Sequence, residues 1–180
     1  MTKKFKYPSD SVVVLSQLML PSHSNFGGKI HGGFILSLLD QVAFACAAKH
    51  SENYCVTASV DRVDFLNPVE VGELLTLKSS VNYVGRTSMV VGVRVESENI
   101  QNGAKKHCNS SYFTMVAKDD DGKSIEVPGL IVSAEDDYRR FIENIKRVEN
   151  RKQHNETFKN FNFNKTGYTE ILKNYNVKLE

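Results

Sequence analysis

The chain has 180 residues, 41% hydrophobic and 24% charged, with a formal net charge of +2. That length can bury a sizeable core without disulfide or metal staples, and the balance excludes a disordered chain or one with the basic excess a nucleic acid partner needs. One domain over residues 1–130 is expected, followed by a C-terminal helix and polar tail over 131–180.

The start, Met1-Thr2-Lys3-Lys4-Phe5-Lys6, lacks the apolar run of a signal peptide. The longest apolar stretch, Phe34 to Ala48, is interrupted by Ser37, Asp40 and Gln41 and reads as too short and too polar to cross a bilayer. A cytoplasmic protein with no membrane partner is therefore expected. Cys46, Cys55 and Cys108 are an odd set without CxxC spacing, each in an apolar or alternating run, and are expected to be reduced and buried.

Val12 to Leu20 reads as a first strand stopped by Pro21, and Ser22 to Lys29 as a loop. Gly33 to His50 carries apolar residues on every side among helix-forming Leu and Ala, which predicts a helix enclosed by other structure. Tyr54 to Leu66, Glu73 to Val84 and Thr87 to Glu98 are rich in Val, Thr, Tyr and Phe and read as strands. Gly85-Arg86 makes a tight connection, and Asn102-Gly103 a turn into a further strand from Lys105 to Lys118. Ser133 is a good N-cap, with Glu135, Asp136 and Asp137 in the first turn of a helix reaching about Asn150. Beyond it Asn and Lys dominate, although Phe158, Phe161, Phe163, Tyr168, Ile171 and Tyr175 supply apolar surface.

A helix covered on all sides beside five or six antiparallel strands predicts an α+β domain whose sheet curls round the helix. One sheet covers one side only, so burial alone asks for a second copy across a two-fold axis.

The segment from Pro21 to Asp40 concentrates the chemistry. Gly32 and Gly33 at the helix entry leave main-chain N–H groups unpaired and unobstructed, a place where a carbonyl can be polarised. Asp40 lies about two turns further on, on the side of Gly33, Ser37 and Phe44, and no other carboxylate falls between Ile30 and Ala48. A carboxylate in an apolar helix needs a partner, a proton or water. Catalysis supplies one reason; facing solvent at a gap in the sheet, or bonding to a neighbouring strand, supplies another. Asn25, in a Gly-rich loop, reads by itself as a turn former.

The pattern Asn25, Gly28, Ile30, His31, Gly32, Gly33, Asp40 resembles that of the hot-dog-fold acyl-CoA thioesterases of the hexameric acyl-CoA hydrolase type. The resemblance continues through Val56 to Pro68, Val71-Gly72 and Gly85 to Met89, and covers roughly Ser11 to Pro128. It implies a hot-dog fold, a curled antiparallel sheet around a central helix, hydrolysing acyl-CoA to free fatty acid and CoA as a dimer or trimer of dimers. It also implies that Asp40 acts as general base or nucleophile, that Asn25 of the opposing subunit holds water or substrate, and that the Gly32 and Gly33 amides stabilise the oxyanion. Coenzyme A would then run along a strand edge near Thr87 and Ser88, with Arg86 toward its phosphates, while His31 and Asp61 are further pocket candidates. No metal or organic cofactor is expected: there is no serine elbow, and His23, His31, His50 and His107 lack ligand spacing. The alternative is a non-catalytic acyl-CoA-binding or sensing protein on the same fold. A hot-dog dehydratase lacks its expected His-Phe-Pro and Pro-Gly-Val type motifs here.

Overall fold

The computed structural model describes residues 4–159, 161–162 and 165–178; Phe163 and the first three residues lie outside it. Its strands are β1 (Phe5–Lys6), β2 (Val13–Leu18), β3 (Tyr54–Val60), β4 (Glu73–Val84), β5 (Ser88–Asn99), β6 (Lys105–Lys118) and β7 (Gly129–Leu130), and its helices α1 (Gly32–Ser51), α2 (Glu135–Lys159) and α3 (Lys165–Leu172). Five strands form an antiparallel sheet in the order β2-β4-β5-β6-β3, and β1 pairs in parallel with β7 as a separate ribbon. Register shifts at Val81/Tyr83, Val95/Glu96 and Thr57/Ser59 insert bulges. Bulges bend strands and increase twist, so the sheet curves toward α1.

Alternation along the strands sends Leu75, Leu77, Val81, Met89, Val91, Val93, Val95, Phe113 and Met115 inward against Ile35, Leu38, Leu39, Val42, Ala43 and Cys46 of α1. Fully burying a side chain such as Leu39 contributes about 1.5–3 kcal/mol. At the far end of α1, Lys6 donates its ammonium to the Lys49 and His50 carbonyls at 3.2 and 2.9 Å and pairs with Glu52 at 2.9 Å. The last turn's orphan acceptors and negative dipole end are thereby satisfied. The cysteines are free and buried.

One sheet covers α1 on one side: Gly33, Leu36, Ser37, Asp40, Gln41 and Phe44 are exposed in the single chain. Two expectations change. The helix is 20 residues long, so by length and composition it could cross a membrane, and its packing against every strand of the large sheet marks it as the core helix. The strand expected to end at Leu66 ends at Val60. Residues 61–66 leave the ladder and are pinned to β6 by Asp61 N–H to Tyr112 O at 2.9 Å and Leu66 N–H to Cys108 O at 2.9 Å.

Met1–Asn144 form one compact unit and Ile145–Glu180 a second, with α2 running through the junction. In the first unit, Phe141 of α2 packs on Tyr83 with ring centroids 5.1 Å apart. The second unit holds the rest of α2 and α3, with Phe161 against Tyr168 at 5.6 Å.

Candidate active site

The loop before α1 is built by Asn25. Its Oδ1 accepts the Gly27 and Lys29 amides at 2.9 and 3.2 Å, its own N–H donates to Lys29 O at 2.7 Å, and Gly28 takes φ 77° at the tip. A residue with a Cβ is disfavoured at such a φ, which accounts for glycine there. Lys29 is clamped to Glu70 at 2.6 Å, and the loop closes by a bridge between Ser24 and Ile30. Asn25 is thus a turn former whose Nδ2 has no partner among the described residues. Phe26 beside it is fully exposed.

His31 is the N-cap of α1: its Nδ1 accepts the Gly33 amide at 2.9 Å, which requires that nitrogen to be unprotonated. A Cβ on Gly33 would sit 2.8 Å from the imidazole Cε1, so glycine is what lets the ring close over the turn. Of the two amides expected to be open, Gly33 is therefore engaged, and the Gly32 N–H is without an acceptor among the described residues. The Phe65 ring lies 3.3 Å from where a Gly32 Cβ would stand, on the segment that leaves the sheet after β3.

Asp40 stands two turns along on the exposed stripe. Its Oδ1 accepts the Thr57 hydroxyl at 2.6 Å, and Thr57 Oγ1 is 3.5 Å from Met115 Sδ beneath. The bulge after Thr57 aims this side chain at the helix; bulges next to functional groups commonly re-aim side chains. Asp40 faces solvent in the single chain and bonds to the adjacent strand. Thr57 was not singled out from the sequence, since a threonine within Val56-Thr57-Ala58-Ser59 has the look of ordinary strand composition.

The remaining candidates lie apart from this pair. Arg86 and Thr87 lie in the β4–β5 connection and Ser88 opens β5; Arg86 O accepts Val127 N–H at 3.0 Å and Thr87 O accepts Ala117 N–H at 3.1 Å. Register sets Met89 opposite Met115, which in turn pairs with Thr57, so this hairpin shares an end of the sheet with Thr57. Alternation points the Ser88 side chain to the opposite face. Asp61 lies just past β3, half-buried. No cluster of three or more His, Cys, Asp or Glu suited to a metal occurs among the described residues.

Residues 27–104 match the thioesterase superfamily model. Among relatives, Protein VdlD of Helicobacter pylori is 43% identical over 139 residues, covering 77% of this chain and 79% of its own. Among solved structures, an apo-hexameric acyl-CoA thioesterase superposes with TM-score 0.82 at 38% identity, over 84% of this chain and 97% of its own.

This chain belongs to the hot-dog acyl-CoA thioesterases.

An acyl-CoA hydrolase from Staphylococcus aureus, solved with butyryl coenzyme A and coenzyme A, gives TM-score 0.80 at 32% identity, over 86% of this chain and 94% of its own. Structures of that hydrolase include alanine replacements of an asparagine, an aspartate and a threonine, separated by 15 and 17 residues. Asn25, Asp40 and Thr57 of this thioesterase-family chain have the same separations.

Proposed function

We propose that this protein hydrolyses acyl-CoA to free fatty acid and CoA at a site centred on Asp40 and completed by Asn25 of a second protomer. The observation that carries the reading is the Asp40 carboxylate, held by Thr57 at 2.6 Å on a helix stripe that the single chain leaves uncovered. With Oδ1 taken by Thr57, Oδ2 is left to draw a proton from a water as that water attacks the thioester carbonyl. The C–S bond then breaks, the thiolate of CoA departs, and the proton passes to solvent or to the thiolate. A thiolate leaves without a strong general acid, so the chemistry calls for no metal or organic cofactor. In the alternative covalent route Asp40 attacks the carbonyl itself and water resolves the resulting anhydride.

The Gly32 N–H, at the positive end of α1 and unpaired, is the donor for the developing oxyanion; loss of one such donor in other enzymes costs about 3–4 kcal/mol. Gly33 contributes by admitting His31, which fixes the turn that presents Gly32. Arg86 and the main chain of Thr87 and Ser88 would serve the coenzyme A portion, and Asp61 and His31 would border it.

Self-association supplies the missing cover. Leu36, Phe44, Tyr54 and Val60 are exposed beside Asp40, with Phe44 and Tyr54 rings 5.8 Å apart, and β3 is an edge strand. An open edge next to an apolar patch favours pairing with an identical copy, and a neighbouring structure of the family is a hexamer, which a trimer of dimers builds. The test is release of free CoA from short-, medium- and long-chain acyl-CoAs. Asp40→Ala should lose hydrolysis by orders of magnitude while remaining folded and oligomeric; near-normal turnover would reject Asp40 as the reacting group.

A further inference from the structure

On the face of the sheet turned away from α1 lies a cleft of about 390 Å³. Its floor is a cross-strand grid: Lys78, Arg94 and Ser110 in one row, Ser80, Gly92 and Tyr112 in the next. Gly92 makes the depression, because a Cβ there would collide with the Asn82 amide and press within 3.3 Å of the Tyr112 ring. Arg139 and Arg140 of α2 close one side, both within the first compact unit.

Four cationic side chains line the cleft and no carboxylate does. Their acidic partners stand outside it: Glu96 takes Lys78 at 2.7 Å and Arg94 at 2.8 Å, while Asp136 and Glu143 take the α2 arginines. Arg94 gives only its Nε hydrogen to Glu96, which leaves its terminal amino groups for another acceptor. Ser80, Ser110 and Tyr112 add hydroxyls, and Asn82, 8% exposed, borders the cleft with its amide nitrogen toward Gly92. A bare anion would engage the cations alone, whereas the hydroxyls can both donate to and accept from hydroxyl groups on a larger ligand.

We propose that this cleft binds a phosphate monoester on a hydroxyl-bearing frame, the phosphate held by Arg94, Lys78 and the α2 arginines and the hydroxyls by the serines and Tyr112. Such a ligand bridges α2 to the sheet, and its site is separate from Asp40, which lies on the opposite sheet face. The occupant is a free sugar phosphate; the phosphoribosyl group of CoA shares this chemistry, and the CoA arm of the titration separates the two.

The probe is ribose 5-phosphate titrated calorimetrically into the full-length protein, with inorganic phosphate and CoA as separate arms. One site per chain is expected, weakened at least about tenfold by Arg94→Gln and abolished by Ser80→Leu, which fills the cleft without removing charge. Both variants should keep acyl-CoA hydrolysis and oligomeric state. The proposal is overturned by absence of binding up to about 10 mM, by equal affinity for inorganic phosphate, or by binding unchanged in both variants. Competition by CoA would make the cleft part of the substrate site, and loss of the oligomer in Arg94→Gln would make it an interface; either result also overturns it.

Discussion

Replacing Thr57 by valine removes one hydroxyl and leaves the strand shape intact. The lost bond is Thr57 Oγ1–H to Asp40 Oδ1 at 2.6 Å, short and made to a charged group. Bonds of that type are worth about 1.5–3 kcal/mol, and each 1.4 kcal/mol is about tenfold. Asp40 is exposed in the single chain, so water replaces part of the lost interaction and the low end applies. The expected effect is a fall in kcat/KM of about tenfold, far less than for Asp40→Ala, since the carboxylate stays but is no longer aimed. The assay is thiol release under subsaturating acyl-CoA, with the melting temperature recorded in parallel. A Thr57→Val enzyme with wild-type kcat/KM would show that the bond does not position Asp40 for reaction. Unfolding would instead mark Thr57 as a packing residue against Met115.

Two other outcomes follow from burial. His50 is fully buried, with Nε2 3.1 Å from Pro128 O and Nδ1 without a partner among the described residues, and burial pulls its pKa below 6.5 against the opposing Pro128 hydrogen bond. The folded protein thus binds that proton less readily than the unfolded chain: the stability it confers is complete above about pH 6.5 and drains away as pH falls toward the depressed folded value. Urea midpoints measured from about pH 8 to about pH 5 should decline, and less steeply for His50→Gln; parallel curves would refute the assignment. The thiols give a second outcome. Burial pushes the Cys46 thiol up to about 11, and Cys55 and Cys108 are also buried, so none of the three should react with an aromatic disulfide until denaturant is added. Rapid titration of the native protein would contradict the packing, and would also spoil a thiol-based assay for CoA.

Patterning made the long elements legible. Lys105–Lys118 is a strand over the expected range, bounded by turn signals at Asn102-Gly103 and Asp121-Gly122, and α1 differs by one residue at each end because its Leu/Ala-rich run leaves one solution for burial. Short or irregular elements carried no such signal. The two-residue β1 depends on its parallel partner β7, too far along the chain for local pattern to announce. Residues 61–66 continue an expected strand with Val63, Phe65 and Leu66, yet leave the ladder, where the Asn109 amide takes the Asp64 carbonyl at 2.8 Å. Helix α2 continues past Asn150 to Lys159, since Arg, Lys, Gln and Glu are good helix formers even without an apolar face.

The candidate site was legible where glycine and a lone carboxylate broke an apolar pattern, at Gly32, Gly33 and Asp40. It was not legible where it depends on a contact between distant segments. Thr57 reaches Asp40 only because β3 folds beside α1 with a bulge at that point, and the cap by His31 on Gly33 is a matter of side-chain geometry. Hydrophobic composition said the helix was to be covered on every side; the single chain covers one stripe, and the uncovered stripe holds the carboxylate.

Mixing two inactive variants tests the shared site most directly. Asn25→Ala and Asp40→Ala proteins, each lacking hydrolysis, are combined under conditions verified to exchange subunits, and free CoA is followed. Restored turnover is expected, because a mixed pair contains one interface with both residues intact. Persistent inactivity despite confirmed exchange would contradict a site assembled from two protomers.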